Sequence, residues 1–138
     1  MRKRTQAREV ALKILYQLYI TVHDTKVAFE GFFNSNEELG SDVKDFSYKL
    51  IVGTRDNLEA IDKNIKNFAD NWELSRMAIV DRNILRLACF ELMFMEDVPS
   101  KVTINEAVEL AKKYGGIDSS KFVNGVLDKI NKEDIKKS

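Results

Sequence analysis

Residues that interrupt helices or build disulfide and metal sites are scarce in this chain. Its 138 residues include one proline, six glycines, one cysteine and one histidine. A single cysteine excludes an intrachain disulfide, and no spacing of histidine and cysteine suits a metal ion. The scarcity of proline and glycine favours long helices over a fold with many turns.

Long apolar runs are also missing. No segment approaches the roughly 18 consecutive apolar residues that a membrane-spanning helix needs. At the basic N-terminus, Glu9, Lys13 and Gln17 interrupt the apolar residues, so we expect no secretory signal. A mitochondrial transit peptide is also rich in arginine, but here the short basic cluster leads directly into a core-facing helix. We therefore expect a cytoplasmic protein.

The charges present are balanced in number but unevenly distributed. The chain has 22 basic and 22 acidic residues, a net charge of zero. Residues 1–23 hold five basic residues against one acidic residue, a net charge of +4, whereas residues 24–62 hold nine acidic against four basic, a net charge of −5. A basic end on a neutral chain is typical of a small polyanion-binding patch, and equally of a solvated terminal segment.

Hydrophobic periodicity predicts an all-α domain, a compact bundle of six or seven helices, and no strand pattern competes with it. The length is that of one domain with a substantial core. One long apolar stripe predicts a single helix over about residues 41–68. The other predicted helices span about residues 5–21, 25–33 and 81–95, with two more between residues 103 and 130.

The last two predicted helices have the clearest start and stop signals. Thr103 and Glu106 have the spacing of a capping box, which satisfies free amides at a helix start. Glycines 115–116 are expected to end this helix in the left-handed conformation. Asp118 or Ser119 is then a candidate cap for the final helix. The apolar stripe of that helix consists of Val123, Val126, Leu127 and Ile130.

Residues suited to catalysis are nearly absent. Cys89 lies in an apolar run, where we expect a buried structural thiol rather than a reactive one. His23 follows the first predicted helix, where it is expected to help end that helix rather than act as a base. No glycine-rich phosphate loop is present. We therefore predict that the chain is not an enzyme and needs no cofactor and no metal.

Nucleic-acid binding has more support. Arg2, Lys3, Arg4 and Arg8 form a cluster suited to phosphate contacts. Such contacts supply affinity but carry no sequence information, which in RNA is read by exposed aromatic and amide side chains. Phe122 lies at the edge of the last apolar stripe, where one ring face can stay exposed, although the pattern alone favours a core position.

Several words of the sequence carry a family resemblance, and they lie in residues 7–16, 80–87, 90–92, 104–112 and 121–128. These words resemble the NusB family of transcription antitermination factors. They follow one another in the family's order and run nearly end to end, which is far more specific than one short motif. Residues 22–75 match only in their helical pattern.

This resemblance implies a single NusB-like RNA-binding domain made of two tightly packed helical subdomains. The N-terminal subdomain would span about residues 1–70, with the boundary near Asp70. The C-terminal subdomain would span about residues 71–132, followed by a frayed tail over residues 133–138. The implied function is binding to boxA-type single-stranded RNA in the leaders of ribosomal RNA transcripts. The implied partners are NusE, a small-subunit ribosomal protein, and the elongating RNA polymerase; a homodimer is a further option.

The resemblance also implies site residues. Thr5 and Gln6 separate Arg4 from the matching word that begins at residue 7, so the register of the basic cluster is open. Arg2 and Lys3 are therefore included among the implied RNA-binding residues. The implied RNA-binding residues are Arg4, Arg8, Tyr16, Asp81, Arg86, Asp118, Lys121 and Phe122. Of these, Asp81, Arg86 and Asp118 have a structural alternative as helix caps or surface ion pairs. The implied partner-binding residues are Val102, Glu106, Glu109 and Lys113.

Two other functions keep the helical fold. One is a homodimeric helical scaffold without RNA binding, whose basic segment is solvated or buried against a second copy. The other is a stand-alone relative of the helical domain found in ribosomal RNA cytosine methyltransferases. Because the 138 residues hold only the helical domain, we expect no complete methyltransferase in this second case.

Overall fold

The computed structural model describes residues 2–20, 24–69 and 73–133 of the chain. Within these ranges there is no strand, and the predicted all-α fold is confirmed. His23, Asp70 and residues 134–138 lie outside the described residues, as do the expectations attached to them. The helices are α1 (Lys3–Ile20), α2 (Thr25–Asn34), α3 (Gly40–Asp56), α4 (Leu58–Phe68), α5 (Ile79–Phe94), α6 (Ser100–Tyr114) and α7 (Ser119–Lys132), with short 3-10 helices at Glu37–Leu39 and Leu74–Arg76.

The single helix predicted over residues 41–68 is wrong, because Asn57 separates α3 from α4. Asn57 leaves the helical conformation, with φ −114° and ψ 22°. A break of one residue leaves the apolar period nearly in phase, which is why the sequence pattern does not reveal it. The chain divides at this break into two compact units, Met1–Asp56 and Asn57–Ser138, upstream of the boundary expected near Asp70.

In the first unit, α1 packs against α3 and α2. The entry into α2 is capped by Asp24, whose Oδ1 accepts hydrogen bonds from the backbone amides of Lys26 at 2.7 Å and Val27 at 3.4 Å. Such a cap satisfies amides that have no partner inside the helix. The buried apolar face of α1 consists of Ala7, Val10, Ala11, Leu12, Ile14 and Leu15.

In the second unit, α5 is the central helix. It packs against α4, α6 and α7, and nine of its residues from Asn83 to Leu92 are buried. A helix with apolar residues around most of its circumference needs other elements to cover it, and here three helices do so. The predicted stripe of α7 is confirmed, since Val123, Val126, Leu127 and Ile130 are all buried.

The predicted capping box at Thr103 and Glu106 is wrong. Helix α6 already begins at Ser100, after Pro99, so Thr103 lies inside the first turn. Its amide donates to the Pro99 carbonyl at 3.2 Å, and its Oγ1 donates to Oε1 of Glu91 at 3.1 Å. Glu91 is only 2% exposed, and a buried carboxylate of this kind needs hydrogen-bond donors. The Thr103 hydroxyl therefore donates a hydrogen bond to a buried acid on α5 instead of capping a helix end.

The turn between α6 and α7 also differs from the prediction. Gly115 is extended rather than left-handed, with φ −92° and ψ −175°. Glycine is needed here because there is no room for a side chain. A Cβ at this position would lie 2.5 Å from both Cβ and Oγ of Ser119 and 2.8 Å from the Ala111 carbonyl oxygen. Ser119 closes the turn, since its Oγ accepts a hydrogen bond from the Gly116 amide at 2.8 Å.

Replacing Gly115 by alanine should destabilise the protein by about 1–3 kcal/mol, because the added methyl group forces the turn apart. Gly125→Ala is the matched control, since a Cβ there has no atom within 4 Å and the residue lies inside α7. The control should be neutral or stabilising by up to about 1 kcal/mol, the helix preference of alanine over glycine. Urea unfolding of both variants measures these changes. Equal midpoints for Gly115→Ala and the wild type would contradict the packing argument.

Candidate nucleic-acid interface

A groove of about 420 Å³ lies in the first unit where α1 begins. Three basic side chains and two acidic side chains surround one aromatic ring there. The Lys3 Nζ donates to Oδ2 of Asp42 at 2.8 Å, and both side chains are largely exposed. The hydrogen bond and the charge of the partner raise the pKa of Lys3 and lower the pKa of Asp42. The lining residues are Lys3, Arg4, Asp42, Asp45, Phe46 and Lys49.

Two arginines of the predicted cluster share the Phe46 ring. The Cζ atom of Arg4 lies 4.5 Å from the ring centroid, and that of Arg8 lies 5.5 Å from it. Both distances are those of cation–π contacts. Arg4 is exposed, whereas Arg8 is only 4% exposed. The cluster therefore divides into exposed Arg2, Lys3 and Arg4 and a buried Arg8, and the role of each in RNA binding stays a prediction.

A pocket of about 400 Å³ lies in the second unit, beside the start of α5 and the turn before α7. It brings together three of the predicted RNA-binding residues, Asp81, Asp118 and Phe122, which are distant in sequence. The tight packing at Gly115 fixes the turn that forms one wall. The full lining consists of Met77, Ala78, Asp81, Gly116, Asp118, Ser119 and Phe122.

The polar groups of this pocket are not used as helix caps. Asp81 lies in the first turn of α5, where the helix begins at Ile79, and its Oδ1 atom is buried without a hydrogen-bond partner. Asp118 precedes α7 but makes no side-chain cap hydrogen bond, and it is exposed. Phe122 is half-buried, as its place at the edge of the stripe allows, and not in the core position that the pattern alone favoured. A buried acceptor without a protein partner is costly, so a donor from water or from a bound molecule is expected to satisfy it.

The other residues implied for RNA binding lie outside both linings. Arg86 is half-buried and forms a two-pronged ion pair with Asp62, with Nε–Oδ1 at 2.8 Å and Nη2–Oδ2 at 2.9 Å. This is the structural alternative named for Arg86, although its role in RNA binding stays a prediction. Lys121 is exposed, and Tyr16 is 42% exposed on α1.

The predicted partner residues share one face of α6. Val102, Glu106, Glu109 and Lys113 follow one another at intervals of three and four residues, which places them in line along a helix. Val102 is 41% exposed, Glu109 and Lys113 are exposed, and Glu106 is half-buried. The face is thus accessible, and its role in binding a partner stays a prediction.

The described residues hold no cluster of histidine, cysteine, aspartate or glutamate that suits a metal ion. Burial, and secondarily the charge of Asp62, raises the pKa of the Cys89 thiol to about 12, so it stays protonated at neutral pH. The prediction of a buried structural thiol is confirmed. Among the described helices, none combines the length and the hydropathy needed to cross a bilayer.

Sequence reasoning missed several lining residues. Phe46 lies in the apolar stripe of α3, between Val43 and Leu50, and this pattern favours a core position. Nothing in the stripe signals that its ring meets arginines from α1. Lys49 and Asp45 are ordinary surface residues of α3 by sequence, and only the packing of α1 on α3 brings them to the groove.

Comparison with known proteins gives consistent matches over nearly the whole chain. A family model described as the NusB family matches residues 5–132. The transcription antitermination protein NusB of Thermodesulfovibrio yellowstonii is 43% identical over 142 residues, covering 96% of this chain and 94% of that protein. A solved structure of T. maritima NusB is 40% identical, covers 96% of this chain and 93% of that one, and has a TM-score of 0.88.

A crystal structure of the antitermination factors NusB and NusE in complex with dsRNA is also similar. It is 30% identical, covers 96% of this chain and 98% of that chain, and has a TM-score of 0.86. The predicted resemblance and fold are thereby confirmed, as is the prediction that the chain is not an enzyme, because the family consists of non-enzymatic antitermination factors. The chain belongs to the NusB family of transcription antitermination proteins.

Proposed function

We propose that this protein binds boxA-type single-stranded RNA in the leaders of ribosomal RNA transcripts, together with NusE, and that the complex acts on elongating RNA polymerase in the cytoplasm. The observation that carries the proposal is the shared pocket of Asp81, Asp118 and Phe122. The family resemblance implies these residues at positions far apart in the sequence, and they line one cavity. The similar NusB chain in a complex with NusE and dsRNA supports both kinds of partner.

The chemistry of the two surfaces suits different parts of an RNA strand. The exposed cations at the start of α1 suit phosphates, which give affinity without sequence information. The pocket suits a splayed base, because a half-exposed phenylalanine offers a stacking face and a free carboxylate oxygen accepts hydrogen bonds from exocyclic amines. The proposed function involves no covalent step. It is coupled binding, in which bound NusE raises the affinity of the protein for RNA and bound RNA raises its affinity for NusE.

Replacing Arg2, Lys3 and Arg4 together by alanine should weaken RNA binding and reduce the salt dependence of log Kd by a slope of up to about two, roughly 0.7 for each lost phosphate contact on a single strand. The melting temperature should change little, because all three side chains are exposed. RNA titrations at several salt concentrations give the slope. An unchanged slope would remove this segment from the interface.

Arg8→Ala is the matched control within the same cluster. Arg8 is buried against Phe46, so its loss should destabilise the fold by about 1–3 kcal/mol through lost packing. The salt slope of the folded variant should stay close to that of the wild type. A reduced slope with unchanged stability would instead assign Arg8 a direct phosphate contact.

Saturating NusE should tighten the binding of boxA-type RNA by about 1–3 kcal/mol, the usual size of a coupling between two sites. Val102→Glu should weaken NusE binding by placing a charge on the exposed face of α6. Val27→Glu is the matched control, since Val27 is an exposed valine of α2, 52% exposed against 41% for Val102. Calorimetric titration measures both. Equal RNA affinity with and without NusE would refute coupled binding.

Phe122→Ala should lower RNA affinity by about 1–3 kcal/mol if the ring stacks on a base. Its cost in stability should fall below the roughly 3–5 kcal/mol of a core phenylalanine, because the ring is half-buried. Leu127→Ala, at a fully buried position of the same helix, should cost about 2–5 kcal/mol and affect RNA binding only through unfolding. Denaturant titration and RNA binding at one salt concentration separate the two. Full RNA affinity in folded Phe122→Ala protein would rule out stacking.

The scaffold alternative differs in its expected result. A homodimeric scaffold without RNA function would show no preference for boxA-type RNA over an unrelated RNA of the same length, with or without NusE. A comparison of single-stranded and duplex forms of the same RNA also tests the proposed preference for single strands.

A further inference from the structure

We propose that single-stranded RNA continues along the outward face of α1, the side that carries Lys13 and Tyr16, and that Lys13 contacts a backbone phosphate there. This inference rests on the proposed function and deepens it, because it extends the RNA surface from the basic segment to the middle of α1. The supporting observations are the exposure of both side chains and their position on the helix.

The helical period places Lys13 on the side of α1 that is turned away from α3. The Arg4 guanidinium lies over the Phe46 ring, so Arg4 marks the side that meets α3. Lys13 is nine residues further along, which is about two and a half turns and therefore the opposite side. Arg2 lies about three turns before Lys13 and shares its side, since the Gln6 amide donates to the Arg2 carbonyl at 2.9 Å and continues the helical path.

The outward face carries positive charge. Glu9 is the only acidic residue in the sequence of α1, and it is buried. Lys13 is exposed and Tyr16 is 42% exposed, and within the described ranges neither side chain makes a hydrogen bond, an ion pair or a ring contact. Lys13 thus keeps three donors, which suit a phosphate as a compact point charge. This charge favours a polyanion over a cationic partner.

The spacing along α1 fits a single strand. Lys13 lies about 16 Å along the helix axis from Arg2, because an α-helix rises about 1.5 Å per residue. At the stacked spacing of about 3.4 Å, no more than about five nucleotides cover this distance, and an extended strand needs fewer. Tyr16 lies one turn beyond Lys13 and offers an exposed ring for stacking on a base. The contact at Lys13 itself carries no sequence preference.

Lys13→Gln should make RNA affinity less sensitive to salt, lowering the log–log slope by about 0.7, the share of one phosphate contact on a single strand. The advantage of the wild type over this variant should then shrink about two- to threefold between roughly 50 and 200 mM salt. The melting temperature should not change, because Lys13 is exposed. Lys66→Gln is the matched control, since it removes an exposed lysine of α4 and changes the net charge equally. Its slope should equal that of the wild type.

Two RNAs separate this inference from the proposed function, a short strand that carries boxA and an oligouridine of equal length. A lower slope in Lys13→Gln with both RNAs supports the path along α1, even where boxA is not preferred and the proposed function fails. An unchanged slope, or an equal loss in Lys66→Gln, overturns the path while a boxA preference can stand.

The same variants in a titration with NusE test whether the outward face belongs to a protein partner instead. We expect Lys13→Gln to bind NusE as the wild type does. Weakened NusE binding together with an unchanged RNA slope would assign the face to that partner and overturn the inference. If the wild type binds neither RNA, with or without NusE, both proposals are overturned.

Discussion

Burial of α5 over most of its surface between Asn83 and Leu92 is the constraint on which the second unit depends. Three helices surround α5, and each of them is fixed by the side of α5 that it covers. The same burial forces the acid Glu91 to find a donor, which Thr103 of α6 provides. Asp81 in the first turn of α5 is thereby held against the turn that precedes α7. The hydrophobic burial of α5 thus determines where the polar groups of the pocket lie.

The periodicity of apolar residues predicted the helical fold well, but it predicted the ends of the helices less well. The stripe of α7 was correct at every position because burial of an apolar face is a strong and regular signal. The ends depend on single residues, whose local preferences yield to packing. Thr103 and Glu106 have the spacing of a cap, yet the buried Glu91 binds the Thr103 hydroxyl. At Gly115 the deciding quantity is the distance to Ser119, and a sequence contains no information on that distance.

The candidate site was predictable only through resemblance. Charge pointed to the basic segment, but it did not distinguish exposed Arg4 from buried Arg8, since both lie on the same side of α1. The pocket joins residues from α5, the turn and α7, and helical period alone does not bring these together. The contacts of the Phe46 ring could not be predicted from the sequence pattern. A half-buried aromatic residue in a stripe looks like core until the structure shows which cations share its ring.

The state of Cys89 has a practical consequence for measuring these equilibria. The thiol is fully buried in α5 and stays protonated well above neutral pH, so it reacts very slowly with maleimide and iodoacetamide reagents. A second cysteine introduced at an exposed position would therefore take up a fluorophore selectively, with the native thiol left in place. The helix that organises the second unit also makes the protein a convenient host for site-specific optical probes.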